Sequence, residues 1–148
     1  MPGRFDWNNV GCELVQNQAS PCLHRTRDAT TIENNRKKSI AQCRKLKPGY
    51  KKPDSCDEFP FASTREGAAS TVSNYSVKII KDRDNCSSGA RTSVFYQRNR
   101  ILDRYPFWVD VIRKGTRHPV SGAPGVILID PLPDEVVDLD GCSIDGVD

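Results

Sequence analysis

Tyr105-Pro106-Phe107-Trp108-Val109-Asp110-Val111-Ile112 carries the period-2 alternation of a β-strand and anchors the reading of the fold. Just upstream, Ser87 to Leu102 reads as a helix, with Val94, Phe95, Ile101 and Leu102 as its apolar positions and Arg98 and Arg100 facing water. Before that, Thr71 to Lys81 contains the alternating Val77/Ile79 pattern of a second strand. Asp54 to Phe61 is expected to be extended or looping, because Pro53 and Pro60 both disfavour helix. From Thr31 to Leu46, Ile32, Ile40 and Cys43 recur near helical spacing among charges. This predicts an exposed helix with Thr30 or Thr31 as N-cap and Glu33 or Asn34 in its first turn. Lys47-Pro48-Gly49-Tyr50 ends it in a turn. Downstream, Gly125 to Ile129 gives another short apolar strand. The expected fold is therefore α+β: a small, mainly antiparallel sheet with two or three helices, stapled by disulfides.

No internal repeat or low-complexity stretch divides the 148 residues, so one domain spans 1–148, with an irregular arm over 1–22 and an acidic tail over 118–148. The hydrophobic fraction of 36% is below the globular average of roughly 45–50%, yet the aromatic residues supply core material. No apolar run is long enough to suggest a spanning helix. The opening Met1-Pro2-Gly3-Arg4 lacks the apolar run of a signal peptide, so the sequence reads as the mature part of a secreted chain or as a domain of a longer one.

The cysteines are Cys12, Cys22, Cys43, Cys56, Cys86 and Cys142, with no C-x-x-C pair and no zinc-finger spacing. An even number spread over a polar chain predicts three disulfides in an oxidising compartment, with the pairing open. The net charge of +3 is unevenly distributed. All 22 Lys and Arg lie in residues 1–117 against 12 acids, a balance of +10, whereas residues 118–148 carry seven acids and no Lys or Arg. A positive body of this kind suits a polyanion such as nucleic acid.

Chemistry concentrates in Cys56-Asp57-Glu58-Phe59-Pro60-Phe61-Ala62-Ser63-Thr64-Arg65-Glu66-Gly67-Ala68. Three carboxylates and an arginine stand among aromatic and small residues, and a proline and a cysteine restrain the backbone. Carboxylate oxygens are the donors Mg²⁺, Mn²⁺ and Ca²⁺ prefer, and a bound metal can polarise a phosphodiester and acidify a water. A solvated acidic surface is the alternative reading of these residues.

The chain resembles the NucA/NucB family of secreted bacterial deoxyribonucleases. The resemblance rests on Asp57-Glu58-Phe59-Pro60, then Glu66-Gly67, then Asp84-Asn85 ahead of Ser88-Gly89, and a strand over Phe107 to Ile112. Lys47-Pro48-Gly49-Tyr50 and Asn35-Arg36-Lys37-Lys38 add to it, so that it runs from about Cys22 to Ile112. Ala68 stands where the family often has a second glycine, and neither the first 20 residues nor the tail after Arg117 has a counterpart.

The resemblance implies a metal-dependent endodeoxyribonuclease that uses one divalent cation, Mg²⁺ or Mn²⁺. Asp57 and Glu66 become the first choices for metal ligand and general base, in either order. Glu58 becomes a second ligand, or a partner of Arg65 or of a basic residue of the helix. Asn85 would bind metal or a phosphate oxygen, or cap a helix, and Arg36 would clamp the scissile phosphate through its guanidinium. Lys37, Arg65, Arg91 and Arg98 are candidate contacts to the DNA backbone, with ordinary solvated charge as the competing reading. Neither His24 nor His118 is assigned a catalytic role. The expected setting is extracellular and monomeric, with DNA as partner and no membrane. The chain would be either a free nuclease or the toxic C-terminal domain of a larger secreted protein, which would add an immunity protein as partner. The rival reading is a secreted, disulfide-rich module that binds DNA or another polyanion without cutting it.

Overall fold

A computed structural model describes residues 22–71 and 74–109. In chain order the elements are β1 (Leu23–His24), α1 (Ala29–Leu46), β2 (Asp54–Phe59), β3 (Ser76–Lys81), α2 (Asp82–Arg98) and β4 (Pro106–Phe107). β2 and β3 form one antiparallel pair and β1 and β4 another, which makes the expected α+β fold. The arm over 1–21, the tail and the strand expected at Gly125 to Ile129 lie outside the described residues.

α1 begins two residues before the expected start. Its N-cap is Asp28 rather than Thr30 or Thr31: the Asp28 carboxylate accepts from the Thr31 backbone N–H at 2.8 Å, satisfying a donor the helix cannot. At the other end, Lys47 N–H reaches back to the Cys43 carbonyl, and Gly49, at φ 72, takes the left-handed conformation the turn requires.

α2 starts at Asp82, five residues ahead of the expected Ser87, and follows β3 without a linker. Asp82-Arg83-Asp84-Asn85 has no apolar periodicity, but Asp82 and Asp84 place negative charge in the first turn, where the helix dipole is positive. The expected helix continued to Leu102, but the observed one ends at Arg98. Arg100 turns left-handed at φ 51, its N–H bonds Gln97 O, and Ile101 N–H bonds Tyr96 O at 2.9 Å. These two bonds make a Schellman ending and fold Ile101 back onto the helix. The strand expected over 105–112 is shorter within the described residues. Only Pro106–Phe107 pair with β1, Val109 makes an isolated bridge, and residues 110–112 lie beyond the description.

Register fixes the two faces of the β2–β3 hairpin. Cys56 pairs Ile79 and Glu58 pairs Val77, so these four share one face, while Ser55, Asp57, Lys78 and Ile80 share the other. A disulfide from Cys56 to Cys43 ties the first face to α1. Asn85 of α2 bonds to Ser55 on the second. The hairpin is therefore held between the two helices. Cys22 and Cys86 are disulfide-bonded as well, and no cysteine among the described residues is free.

Two small cores result. Cys43, Tyr50 and Cys56 are buried with Ile40, Val77 and Ile79 against them, which is the α1–hairpin interface. Leu23, Tyr96 and Phe107 form the other, with Phe59, Phe61, Phe95, Ile101 and Val109 around them. The Tyr96 and Phe107 rings meet edge to face at 5.4 Å between centroids, a geometry aromatic quadrupoles favour.

Candidate active site

Where β2 runs out between the two helices, a cleft of about 530 Å³ opens. Asp57 and Glu58 line it from the strand, Asn85 and Gly89 from α2, and Arg36 and Ile32 from α1. Phe61 and Ser63 line it from the loop after β2, and Arg25 and Arg27 from the segment joining β1 to α1. Four of the residues singled out in the sequence, Arg36, Asp57, Glu58 and Asn85, thus meet in one cavity, although 49 positions separate the first from the last.

Asn85 is fixed. It is buried, and its amide nitrogen donates to Ser55 Oγ and to the Cys56 carbonyl, both at 2.8 Å. With both N–H groups committed to β2, the atom it offers the cleft is the amide oxygen. Asp57 shares its strand face with Ser55, so its carboxylate and the Asn85 oxygen stand on the α2 side. Glu58, one residue on, enters from the α1 side, which also carries Arg36.

Glu66 is elsewhere. It is only 7% exposed and its carboxylate is taken up by His24: the His24 backbone N–H donates to Oε2 at 2.8 Å, and ring Nδ1 lies 2.7 Å from Oε1. Neither residue lines the cleft. The pair instead fastens the loop that follows β2 to β1, alongside the Arg25–Thr64 bridge and the bond from Arg65 N–H to the His24 carbonyl.

Asn35, fully buried on α1, clamps the same loop. Its amide donates to the carbonyls of Ala62 at 2.8 Å and Thr64 at 3.0 Å and accepts from Ala69 N–H at 2.9 Å. Gly67 passes so close that a Cβ there would meet Asn35 Nδ2 at 2.2 Å, which gives the Glu-Gly pair a steric reason.

The other basic candidates do not line the cleft. Lys37 is exposed and pairs with Glu33 at 2.6 Å, one turn away on α1. Arg65 is exposed on the loop, Arg91 half-buried on α2, and Arg98 exposed at its last turn. Sequence reasoning missed Arg25, Arg27 and the His24–Glu66 pair. Arg25-Thr26-Arg27 directly before an N-cap was a visible basic signal. The pairing of His24 with a residue 42 positions on had none.

The donors in the cleft are all hard oxygens. No three of His, Cys, Asp and Glu come together among the described residues, so a wholly protein-built cage is not formed there. The Asp57 carboxylate and the Asn85 amide oxygen, which share the α2 side, fit Mg²⁺ or Mn²⁺, ions that use one or two carboxylates and retain waters.

The cleft thus brings two carboxylates of β2 together with Arg25, Arg27 and Arg36. The model of the family "Deoxyribonuclease NucA/NucB" matches residues 11–109, and the chain belongs to that family of nucleases acting on DNA. No curated protein and no solved structure matches it. Among the described residues no helix is long and apolar enough to cross a membrane.

Proposed function

We propose that the protein hydrolyses phosphodiester bonds within DNA strands, with little sequence preference, in the cleft between α1, β2 and α2. The observation that carries this is the meeting of Asp57, Glu58, Asn85 and Arg36 in one cavity of a NucA/NucB chain. A divalent cation held by Asp57 and Asn85 would supply positive charge to the phosphate and acidify a water, with Glu58 entering the cleft from the other face of β2. Arg36 faces the acidic strand and binds a phosphate oxygen, neutralising charge that grows on the phosphorus oxygens as water attacks. A carboxylate of the acidic wall accepts the water's proton. Glu66, with both oxygens engaged by His24, is a positioning residue: it holds the loop whose Phe61 and Ser63 floor the cleft. The contacts offered to DNA are to its backbone, which explains indifference to sequence.

Disulfide bonding of every described cysteine supports a secreted, oxidised protein, either a free nuclease or the toxic domain of a larger secreted one with its own immunity protein.

Cleavage of supercoiled plasmid by the oxidised protein tests the reading. Nicking is expected with Mg²⁺ or Mn²⁺, none with EDTA, and a fall of about a hundredfold or more in Asp57→Asn. Glu58→Gln, compared with Asp57→Asn, assigns the proton acceptor. Glu66→Gln is expected to lower activity together with thermal stability. Intact plasmid with every metal, from folded protein, would leave a non-cutting DNA-binding module in its place.

A further inference from the structure

Arg25 is a half-buried cation in the cleft with no carboxylate paired to it among the described residues. Charges withdrawn from water are ordinarily paired, so this is an unusual arrangement. The nearby buried carboxylate, Glu66, is bound by His24. The Tyr96 hydroxyl, 3.0 Å from Ser63 Oγ, is pushed by burial above its ordinary value of 10 and stays neutral.

The guanidinium is nonetheless held firmly. Its carbon sits 4.5 Å from the centroid of the Tyr96 ring, and Nη1 donates to the Ile101 carbonyl, which the Schellman ending of α2 presents. The backbone is fixed as well, because Arg25 N–H bonds Tyr105 O and Arg104 N–H bonds Arg25 O. Stacking and one carbonyl orient the side chain without neutralising it, and its remaining N–H donors are left for an anion.

We propose that Arg25 is a preset binding group for a DNA backbone phosphate other than the scissile one, with Tyr96 setting its aim. Asn85 stands in the first turn of α2 and Tyr96, which holds Arg25, in its last, about 16 Å apart along the helix axis, so Asp57 and Asn85 on the one hand and Arg25 on the other engage different phosphates. The assignment rests on the nuclease reading for which phosphate is cut, but not for the binding itself.

The test separates the two. Binding of a mixed-sequence DNA duplex to the full chain in EDTA, followed across a salt series, reads phosphate contacts without chemistry. Arg25→Ala is expected to lower the slope of log K against log salt by about one and to weaken binding roughly tenfold. Arg25→Lys should recover the slope, because it restores the charge. Tyr96→Leu should weaken binding while retaining the slope, since it frees the guanidinium without removing it. In plasmid cleavage Arg25→Ala should raise KM roughly tenfold with kcat within about threefold, as a contact made equally in ground and transition states does. An unchanged slope in folded Arg25→Ala overturns the proposal, as does a loss confined to kcat, which would put Arg25 on the reacting phosphate. A wild-type protein that binds with the expected slope but cuts nothing would sink the nuclease reading and leave the phosphate site standing.

Discussion

Gly67 has room for a hydrogen and no more. Asn35 fills the space a side chain would need, and Asn35 cannot withdraw without giving up three bonds to the loop that floors the cleft. Gly67→Ala is therefore expected to cost about 2 kcal/mol, from overpacking and strained hydrogen bonds, and urea unfolding would show it as a lower midpoint at unchanged slope. An unaltered midpoint would mean that the loop shifts freely. At this scale the sequence was half legible. Asp57, Glu58, Asn85 and Arg36 stood out by type and order, and they do meet. The setting of Glu66 depends on His24, which folding brings from 42 positions away, and no local spacing records that.

Asp54 begins β2 and ties three elements together. Its carboxylate pairs with Lys47 after α1 and, at 2.8 Å, with Lys81 at the end of β3. Hydrogen bonds from these lysines hold its pKa down to about 2. A carboxyl whose folded pKa lies below its unfolded one stabilises the fold above the unfolded value and loses that contribution as pH falls through the folded one. The contribution is thus present above roughly pH 4 and fades toward pH 2. Wild type and Asp54→Asn should differ most in urea stability near neutrality and converge by about pH 2, with solvent screening keeping the difference small. A gap that stays constant with pH would rule this out. Element boundaries were legible where apolar periodicity met a stop signal, as at Leu46 before Lys47-Pro48-Gly49. They were misread where polar residues do the work: Asp28 as cap, Asp82 and Asp84 as a first turn, and Arg100 as a left-handed terminator.

Across the whole molecule, two small cores carry a chain whose composition is polar, and covalent ties compensate. The Cys43–Cys56 bridge, with a sequence separation of 13, joins α1 to the strand that bears Asp57. Replacing both cysteines with Ser should cost about 2–4 kcal/mol in urea unfolding. Activity in the residual folded fraction should fall too, since the α1 and β2 walls of the cleft lose their tie. Full activity in a stably folded double variant would show that packing alone sets the cleft. The α+β class was legible from alternation and helical spacing. The clasp of two helices about one hairpin was not, because it follows from register and disulfide pairing.

The absence of any linker between β3 and α2 has a consequence for how such sequences can vary in length. One residue added between Lys81 and Asp82 would turn α2 by about 100° about its axis and carry Asn85 out of the cleft. The interval from Asp57 to Asn85 thus has a junction of fixed length at its far end, and relatives that differ in this interval should carry no insertion or deletion between the residues matching Lys81 and Asp82.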